Sequence, residues 1–539
     1  GAQLAREAGH TPVFGLMGSG NLVVTNAFVG SDGRFVAARH ENGAVGMADG
    51  YARTTGRVGF ASVHQGPGLT NTLTALTEAA KNRSPLLVLA GDTPAGALRS
   101  NFRIDQHDLV ASVGAVPDRV RSAASAPADA ARALRRAAAE RRPVVLMMPI
   151  DLQVQPAGAR DEAPSAPPLP LPPAPAPAAI AEAARLLAAA ERPVIIAGRG
   201  AVLAGAGHAL EALGERIGAL LATSAMAAGL FAGLPYDLGI SGGFATPLAA
   251  DLLRQSDAVV AFGASLNHWT TRHGDLIAGD ATVIQVDLEA DALGAHRAID
   301  LGIVGDVRAT AEALTAALDG PRPGRRTRAT AADIAGRRWA DEPYEDESTD
   351  ELIDPRTLSL AVAGLLPEDR QVAVDSGHFT GYPAMYLGVT DPRAWLFANA
   401  YQSVGLGLGC ALGAAVARPD RVTVAALGDG GAFLSLAELE TAARLGLRVL
   451  VLIYDDAAYG AEVHHFGPMG EDVGPAQFPD ADLAALGRAA GGQGITVRST
   501  DDLRPVADWV REGRGPLVVD AKVNPTVCAD WLAEAFRAG

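Results

Sequence analysis

An α/β fold class, with three successive parallel-sheet domains, is predicted by three features of this 539-residue chain. Short apolar runs fall into three groups, separated within each group by Ala-rich segments of helical length. Two stretches rich in Pro divide the groups. The length itself suits about three domains of ordinary size.

The first block, residues 1–160, opens with Val13-Phe14 running into a Gly-rich loop that ends at Asn21. Its further strands are Arg57–Val63, Pro85–Ala90 and Pro143–Met148. Apolar runs of this length, bounded by Pro and Gly, read as strands buried on both faces, and the Ala-rich segments between them as packing helices. Residues 161–178 alternate Pro, Ala and Leu, which suits neither helix nor central strand, so they read as an extended linker. The middle block, 179–320, has strands at Pro193–Ala197, Ala258–Phe262 and Thr282–Asp287. A second connector, 321–349, mixes Pro, Gly and Arg and then turns acidic. The third block, 350–539, has strands at Val422–Leu427, Val449–Tyr454 and Pro516–Asp520.

Composition narrows the function. The chain is 48% hydrophobic with net charge −16, and no basic patch offsets the acid. Nucleic acid and anionic membrane are therefore excluded as expected partners. The two cysteines, Cys410 and Cys528, both lie in apolar surroundings, which implies no disulfide framework and suits a reducing compartment. No basic-then-apolar leader opens the sequence, so a cytoplasmic location is expected. The uncharged run from Gly218 to Tyr236 holds Pro235 and many small residues, and reads as buried strand and loop, not a membrane span.

The most informative stretch lies in the third block. Strand Val422–Leu427 runs into Gly428-Asp429-Gly430-Gly431, and Asp456 follows 27 positions after Asp429, at the end of the next strand. Adjacent parallel strands finish at one edge of a sheet, so the two turns meet there. That edge then offers the bare amides of Gly430 and Gly431 beside separated carboxylates. Amides at a helix start bind phosphate oxygens, and carboxylates hold the magnesium that bridges a diphosphate. In the first block, Arg39-His40-Glu41 precedes a segment with Ala44, Met47 and Ala48 on one face, which places Glu41 at a strand-to-helix corner. A carboxylate there caps the helix or faces a ligand.

Together these motifs resemble the thiamine diphosphate (ThDP) enzymes of acetolactate synthase-like type, a group that includes pyruvate oxidases and benzoylformate decarboxylases. The carrying residues are Arg39-His40-Glu41, the turn His64-Gln65-Gly66-Pro67-Gly68-Leu69-Thr70-Asn71, and Gly428-Asp429-Gly430 with its second turn. The resemblance spans the whole chain, in the order pyrimidine-binding domain, middle Rossmann-like domain, diphosphate-binding domain. It implies that Glu41 acts on a pyrimidine nitrogen of the cofactor. It maps magnesium contacts onto Asp429, Asp456 and the carbonyl of Ala458. Cofactor contacts are implied at Ser19, Gly66, Asn71, Ser376, Gly377, His378, Gly428, Gly430, Gly431 and Tyr459, with Val404 propping the cofactor into its bent shape. Asp455-Asp456 stands where the family has an asparagine pair, which adds a carboxylate beside the diphosphate.

Substrate-facing positions also follow from the resemblance. His64 matches a catalytic histidine of the benzoylformate decarboxylase type, or is a histidine bonded within its loop; Ser19 matches a polar substrate contact, or is an ordinary turn residue. Gln106 matches an active-site glutamine of acetolactate synthases, or is an ordinary polar side chain facing solvent. Glu462 matches a substrate-facing glutamate of pyruvate decarboxylases, or is a solvated charge. Glu462, His464 and His465 are not expected to bind a transition metal, because adjacent histidines point apart. Gly198-Arg199-Gly200 with Asp287 is an incomplete dinucleotide fingerprint, and Gly263–Trp269 departs from the flavin-contacting pattern, so a middle domain without FAD is expected.

The expected function is ThDP- and magnesium-dependent cleavage and formation of C–C bonds on 2-oxo acids, as an acetolactate synthase-like carboligase. A non-oxidative 2-oxo acid decarboxylase is the alternative, and a catalytically inactive nucleotide-binding regulatory protein is the alternative of another class. The resemblance also implies a homodimer at minimum and a homotetramer commonly, because the cofactor lies between two subunits.

Overall fold

The computed structural model describes residues 11–156 and 169–536, so residues 161–168 of the expected first linker fall outside the described residues. Three six-stranded sheets, all parallel, carry the described chain. The first has β1 (Val13–Gly15), β2 (Phe35–Ala37), β3 (Gly59–Val63), β4 (Leu86–Asp92), β5 (Val116–Arg119) and β6 (Pro143–Pro149), in the order β2-β1-β3-β4-β6-β5. The middle sheet has β7 (Pro193–Ala197), β8 (Leu220–Thr223), β9 (Asp237–Ile240), β10 (Ala258–Phe262), β11 (Thr282–Asp287) and β12 (Leu301–Val304). The third has β13 (Gln371–Val374), β14 (Trp395–Phe397), β15 (Thr423–Gly428), β16 (Val449–Asp455), β17 (Gln493–Val497) and β18 (Leu517–Lys522), in the order β14-β13-β15-β16-β18-β17. The first and third sheets therefore share one topology, strand for strand.

Strand alternation builds the cores. On β16, Val449, Val451 and Ile453 face one cluster, while Leu450, Leu452 and Tyr454 face another. The first of these clusters is shared between the first and third domains, drawing Ala61, Val63, Val88 and Ala90 from one sheet and Ala425 and Leu427 from the other. Two equivalent helices, Glu41–Thr55 and Gly407–Ala417, join them. Their glycines allow backbone contact: a Cβ on Gly50 would lie 2.0 Å from the Cys410 carbonyl, and one on Gly413 would lie 2.0 Å from that of Met47. Any Cβ at these two positions would block such an approach, so the pairing requires glycine there.

Several local expectations change. The helix Pro177–Ala189 starts inside the expected first linker. The second connector carries a helix, Arg328–Ala335, whose Ile334 is buried in the middle-domain core. Cys410 is buried but Cys528 is exposed, because it lies in the chain after β18 and not within an element. The Gly218–Tyr236 run forms β8 and turns, and among the described residues no helix is long and apolar enough to cross a membrane.

Candidate active site

The third sheet reverses its winding between β13 and β15, and open parallel sheets bind ligands at the carboxyl ends of such a switch. Ser376-Gly377-His378 leaves β13 there, and Gly428–Gly431 leaves β15. Gly428 caps the helix Asp429–Ser435, which places the amides of Gly430 and Gly431 in its first turn. A Cβ on Gly430 would sit 2.6 Å from the Tyr459 ring, and one on Gly431 2.3 Å from Asp375 Oδ2. Both positions are thus restricted to glycine by the side chains packed against them.

In the β15–β16 register Gly428 pairs with Tyr454, so Asp429 and the Asp455-Asp456 turn emerge side by side. The carboxyls of Asp429 and Asp456 lie close enough to repel each other. Burial first, and then their mutual repulsion, pushes Asp429 well above the usual carboxylate range; burial does the same for Asp456. Buried Asp429 and half-buried Asp456 form a donor set that fits a divalent oxygen-seeking ion such as magnesium. Ala457, at φ 53°, turns the chain after β16, and the backbone bridge to the next segment uses Ala457 O and Tyr459 N on either side of Ala458.

Asp455 does not join that pair. Its Oδ2 lies 2.6 Å from Lys522 Nζ, and its Oδ1 accepts the Ala457 N–H at 3.0 Å. The extra carboxylate expected beside the diphosphate is therefore matched by a buried lysine, 67 positions away in sequence. Lys522, at the end of β18, carried no signal in the sequence reading.

His378 is buried, and burial pushes its imidazole down to about 3, so it stays neutral. Nε2 accepts the Ala529 N–H at 3.2 Å, which leaves Nδ1 as the donor, 4.0 Å from Asp456 Oδ2. The His464 ring packs tilted against His378, centroids 4.3 Å apart, while His465 stacks on Phe536, so the adjacent histidines do point apart. Ligand atoms of His378, His464 and Cys528 come within 4.8 Å of one another, but the His378 ring is already committed as described. Glu462 is exposed at the rim of the same cavity.

Val404 lines this cavity on a loop fixed by a residue the sequence reading missed. The fully buried carboxylate of Asp375 accepts the N–H groups of Gly405, Leu406 and Gly407 at 2.8–3.2 Å. Burial pushes this carboxyl up to about 6, and those N–H bonds pull it back. An aspartate one step past a strand end, just ahead of Ser376-Gly377, was the available signal.

The first sheet has its own switch between β1 and β3, near which lie Glu41 and the His64–Asn71 turn. Glu41 opens its helix, buried, with His40 as the N-cap accepting the Asn42 N–H. Its Oε2 accepts from Asn71 Nδ2 at 3.0 Å, and Oε1 would lie 3.4 Å from a Cβ on Gly68. His64 Nδ1 lies 2.6 Å from the Gln65 carbonyl and Nε2 lies 3.2 Å from Ser19 Oγ. Gln106 is buried, with Oε1 accepting the Gly66 N–H at 2.8 Å and Nε2 donating to the Gly91 carbonyl at 3.0 Å. Its amide is committed to the backbone of two loops and braces the Gly66 turn, at φ 62°.

Glu41, Asn71, His64 and Ser19 do not line the cavity that holds Asp429 and Asp456. That cavity, of about 1430 Å³, instead runs towards the middle domain, past Arg199, Asn267, Trp269 and Asp287. Arg199 is held by the Asn82 carbonyl at 2.5 Å, and Glu289 is paired with Arg83 of the first domain.

Comparison with known proteins matches three family models in order: the N-terminal TPP-binding domain of thiamine pyrophosphate enzymes at residues 2–112, their central domain at 180–314, and their C-terminal TPP-binding domain at 375–521. A sulfoacetaldehyde acetyltransferase of Castellaniella defragrans is 30% identical over 98% of this chain and 92% of its own length. The probable 2-ketoarginine decarboxylase of Pseudomonas aeruginosa is 32% identical over 95% of this chain and 91% of its own. An acetolactate synthase large subunit of Mycobacterium tuberculosis is 28% identical over 92% and 89%. Matches of this span to enzymes, with the donor set in place, set aside the catalytically inactive alternative. The chain belongs to the thiamine pyrophosphate (ThDP) enzyme family.

Proposed function

We propose that the protein is a magnesium-dependent ThDP enzyme that cleaves the C–C bond beside the carbonyl of a 2-oxo acid and ends by protonation, as a non-oxidative decarboxylase. The observation that carries this reading is the His64–Ser19 contact. With Nδ1 donating to the Gln65 carbonyl, Nε2 is the atom that faces Ser19 and the open side of the turn, placed to exchange a proton with a substrate oxygen or carbon. Gln106, the feature that pointed towards acetolactate synthases, has its amide committed elsewhere. Ligation to a second carbonyl, the leading expectation from sequence, is the second reading, favoured by the named activities of two of the relatives.

The residues divide the work. Gly430, Gly431, Ser376, Gly377 and His378 would hold the diphosphate; Asp429, Asp456 and the Ala458 carbonyl would hold magnesium; Val404 and Tyr459 would flank the rings. When bound, ThDP supplies a nucleophilic carbon and the electron sink for the broken bond. Glu41, its Oε2 fixed by Asn71, holds a proton at the pyrimidine end. Glu462 supplies a second carboxylate at the substrate rim.

Because Glu41 and Asp429 do not share a cavity within one copy, one complete site takes its halves from two copies, a homodimer at minimum. Exposed large apolar side chains around both halves support this: Met17, Leu22, Phe102 and Ile104 on one, Phe433, Leu434 and Tyr459 on the other. An exposed free thiol at Cys528 supports a reducing compartment, the cytoplasm. The test is product analysis with ThDP and magnesium on pyruvate and on an aromatic 2-oxo acid. Carbon dioxide with free aldehyde supports decarboxylation, acetolactate supports the second reading, and no ThDP-dependent carbon dioxide rejects both.

A further inference from the structure

Two buried glutamates each reach from one cofactor-binding domain to hold a loop of the other. Glu78 lies on the helix Leu73–Lys81, between β3 and β4, and Glu438 on the helix Ala437–Arg444, between β15 and β16. These connections are equivalent in the two sheets. Glu438 accepts the N–H of His40 at 2.9 Å and of Arg39 at 3.1 Å. Glu78 accepts the N–H of Ala400 at 3.1 Å and of Tyr401 at 2.6 Å. Arg39 and His40 lead directly into Glu41, and Ala400 and Tyr401 lead into Val404.

Each glutamate is only 2% exposed and is itself anchored, Glu438 by Thr441 Oγ1 at 2.7 Å and Glu78 by Asn82 Nδ2 at 2.5 Å. Burial pushes both carboxyls up; the Arg53 guanidinium and then the backbone N–H bonds pull Glu78 back, and the Thr441 hydroxyl and then the backbone N–H bonds pull Glu438 back. A charged acceptor makes short, strong bonds to backbone donors, and its removal leaves those donors without a partner in a dry place. The Glu438 carboxylate also fills the space over the first turn of the Glu41 helix, where a Cβ on Gly43 would lie 2.3 Å from Oε1.

We infer that Glu78 and Glu438 are a reciprocal pair of positioning residues, each fixing the corner of the opposite domain that carries a group for the reaction, Val404 in one case and Glu41 in the other. The inference rests on the ThDP reading above. Its physical content is spacing: if two copies share each site, every copy must hold its two half-sites at a set separation, and the clamps tie one half to the other. A misplacement of about 1 Å at a reacting group costs on the order of 100-fold in rate.

The test compares Glu438→Ala and Glu78→Ala with Glu438→Gln and Glu78→Gln, which keep one acceptor oxygen, in the full-length protein. Amide exchange is read on the protein without cofactor, and kcat, KM and ThDP affinity on the loaded enzyme. In Glu438→Ala, exchange should rise around residues 38–42, and kcat should fall roughly 10–100-fold with KM little changed. In Glu78→Ala, exchange should rise around 399–405 with a similar fall in kcat; Glu438→Gln, whose amide nitrogen can face the Thr441 hydroxyl, should recover most of the rate, and Glu78→Gln only part of it, because both Glu78 oxygens accept from N–H donors. Unchanged exchange in those segments, or freed segments with normal kcat, overturns the inference. Exchange raised throughout both domains, with Gln no better than Ala, also overturns it and shows a packing role. A wild-type protein that turns over no 2-oxo acid instead rejects the functional reading; the exchange data, taken without cofactor, tell the two failures apart.

Discussion

Replacing Lys522 by methionine should unbalance the buried charge beneath the metal turn. Lys522 Nζ lies 2.6 Å from Asp455 Oδ2 and 3.1 Å from Asp520 Oδ2, and the two carboxylate side chains are 3% and 0% exposed. A third partner, Asp480 at 2.6 Å, is largely exposed and contributes little. Removing the shared cation leaves two buried carboxylates close together, and breaking a buried pair from one side costs about 3–5 kcal/mol. At domain size that corresponds to a fall in melting temperature of roughly 6–20 °C. Asp455→Asn is a milder change, because the amide oxygen still accepts the Ala457 N–H and Lys522 keeps Asp520; its cost should be about 1 kcal/mol. The double variant should cost less than the sum of the singles, by about 2 kcal/mol. Scanning calorimetry on the metal-free protein reads all four forms. A Lys522→Met protein melting within about 2 °C of wild type, or strict additivity, would refute the pairing of Asp455 with Lys522.

Three further outcomes follow from the same geometry. Gly431→Ala places a Cβ 2.3 Å from Asp375 Oδ2 and 3.3 Å from Val404 Cγ1, and should weaken ThDP binding by roughly tenfold or more, measured by fluorescence titration. Asp429→Ala should abolish magnesium-dependent ThDP binding, whereas Asp456→Asn, which keeps an oxygen ligand, should retain it in the same titration. Magnesium affinity should rise with pH, because both carboxyls sit above their ordinary 3.8 in the folded protein and the metal needs them ionised. For the metal-free protein the sign is opposite: a raised folded value means ionisation opposes folding, so stability falls as pH climbs past the ordinary carboxylate range. Calorimetry with and without magnesium across that range checks both directions.

The legible parts of this protein were local in sequence. The run from Val422 to Asp456 announces strand, Gly-rich turn, helix and strand, and parallel pairing alone brings Asp429 beside Asp456. The place of Glu41 at a strand-to-helix corner was legible locally, but its role was implied only by the family resemblance, because a carboxylate at such a corner also reads as a helix cap. What stayed hidden depends on partners far along the chain. Nothing near Asp455 points to Lys522, and nothing near Glu78 or Glu438 points to loops 322 and 398 positions away. Gln106 shows the same limit differently: its position matched a pattern, but only the fold reveals which carbonyl and N–H take up its amide.

Mixing two inactive variants tests most directly whether each site is assembled from two copies. Glu41→Gln and Asp429→Ala proteins should each be inactive alone. Co-assembled in equal amounts, they should recover about one quarter of wild-type turnover, since half the dimers are mixed and each mixed dimer has one intact site. No recovery in mixed dimers whose formation is verified by mass would contradict the account and put both halves of each site in a single chain.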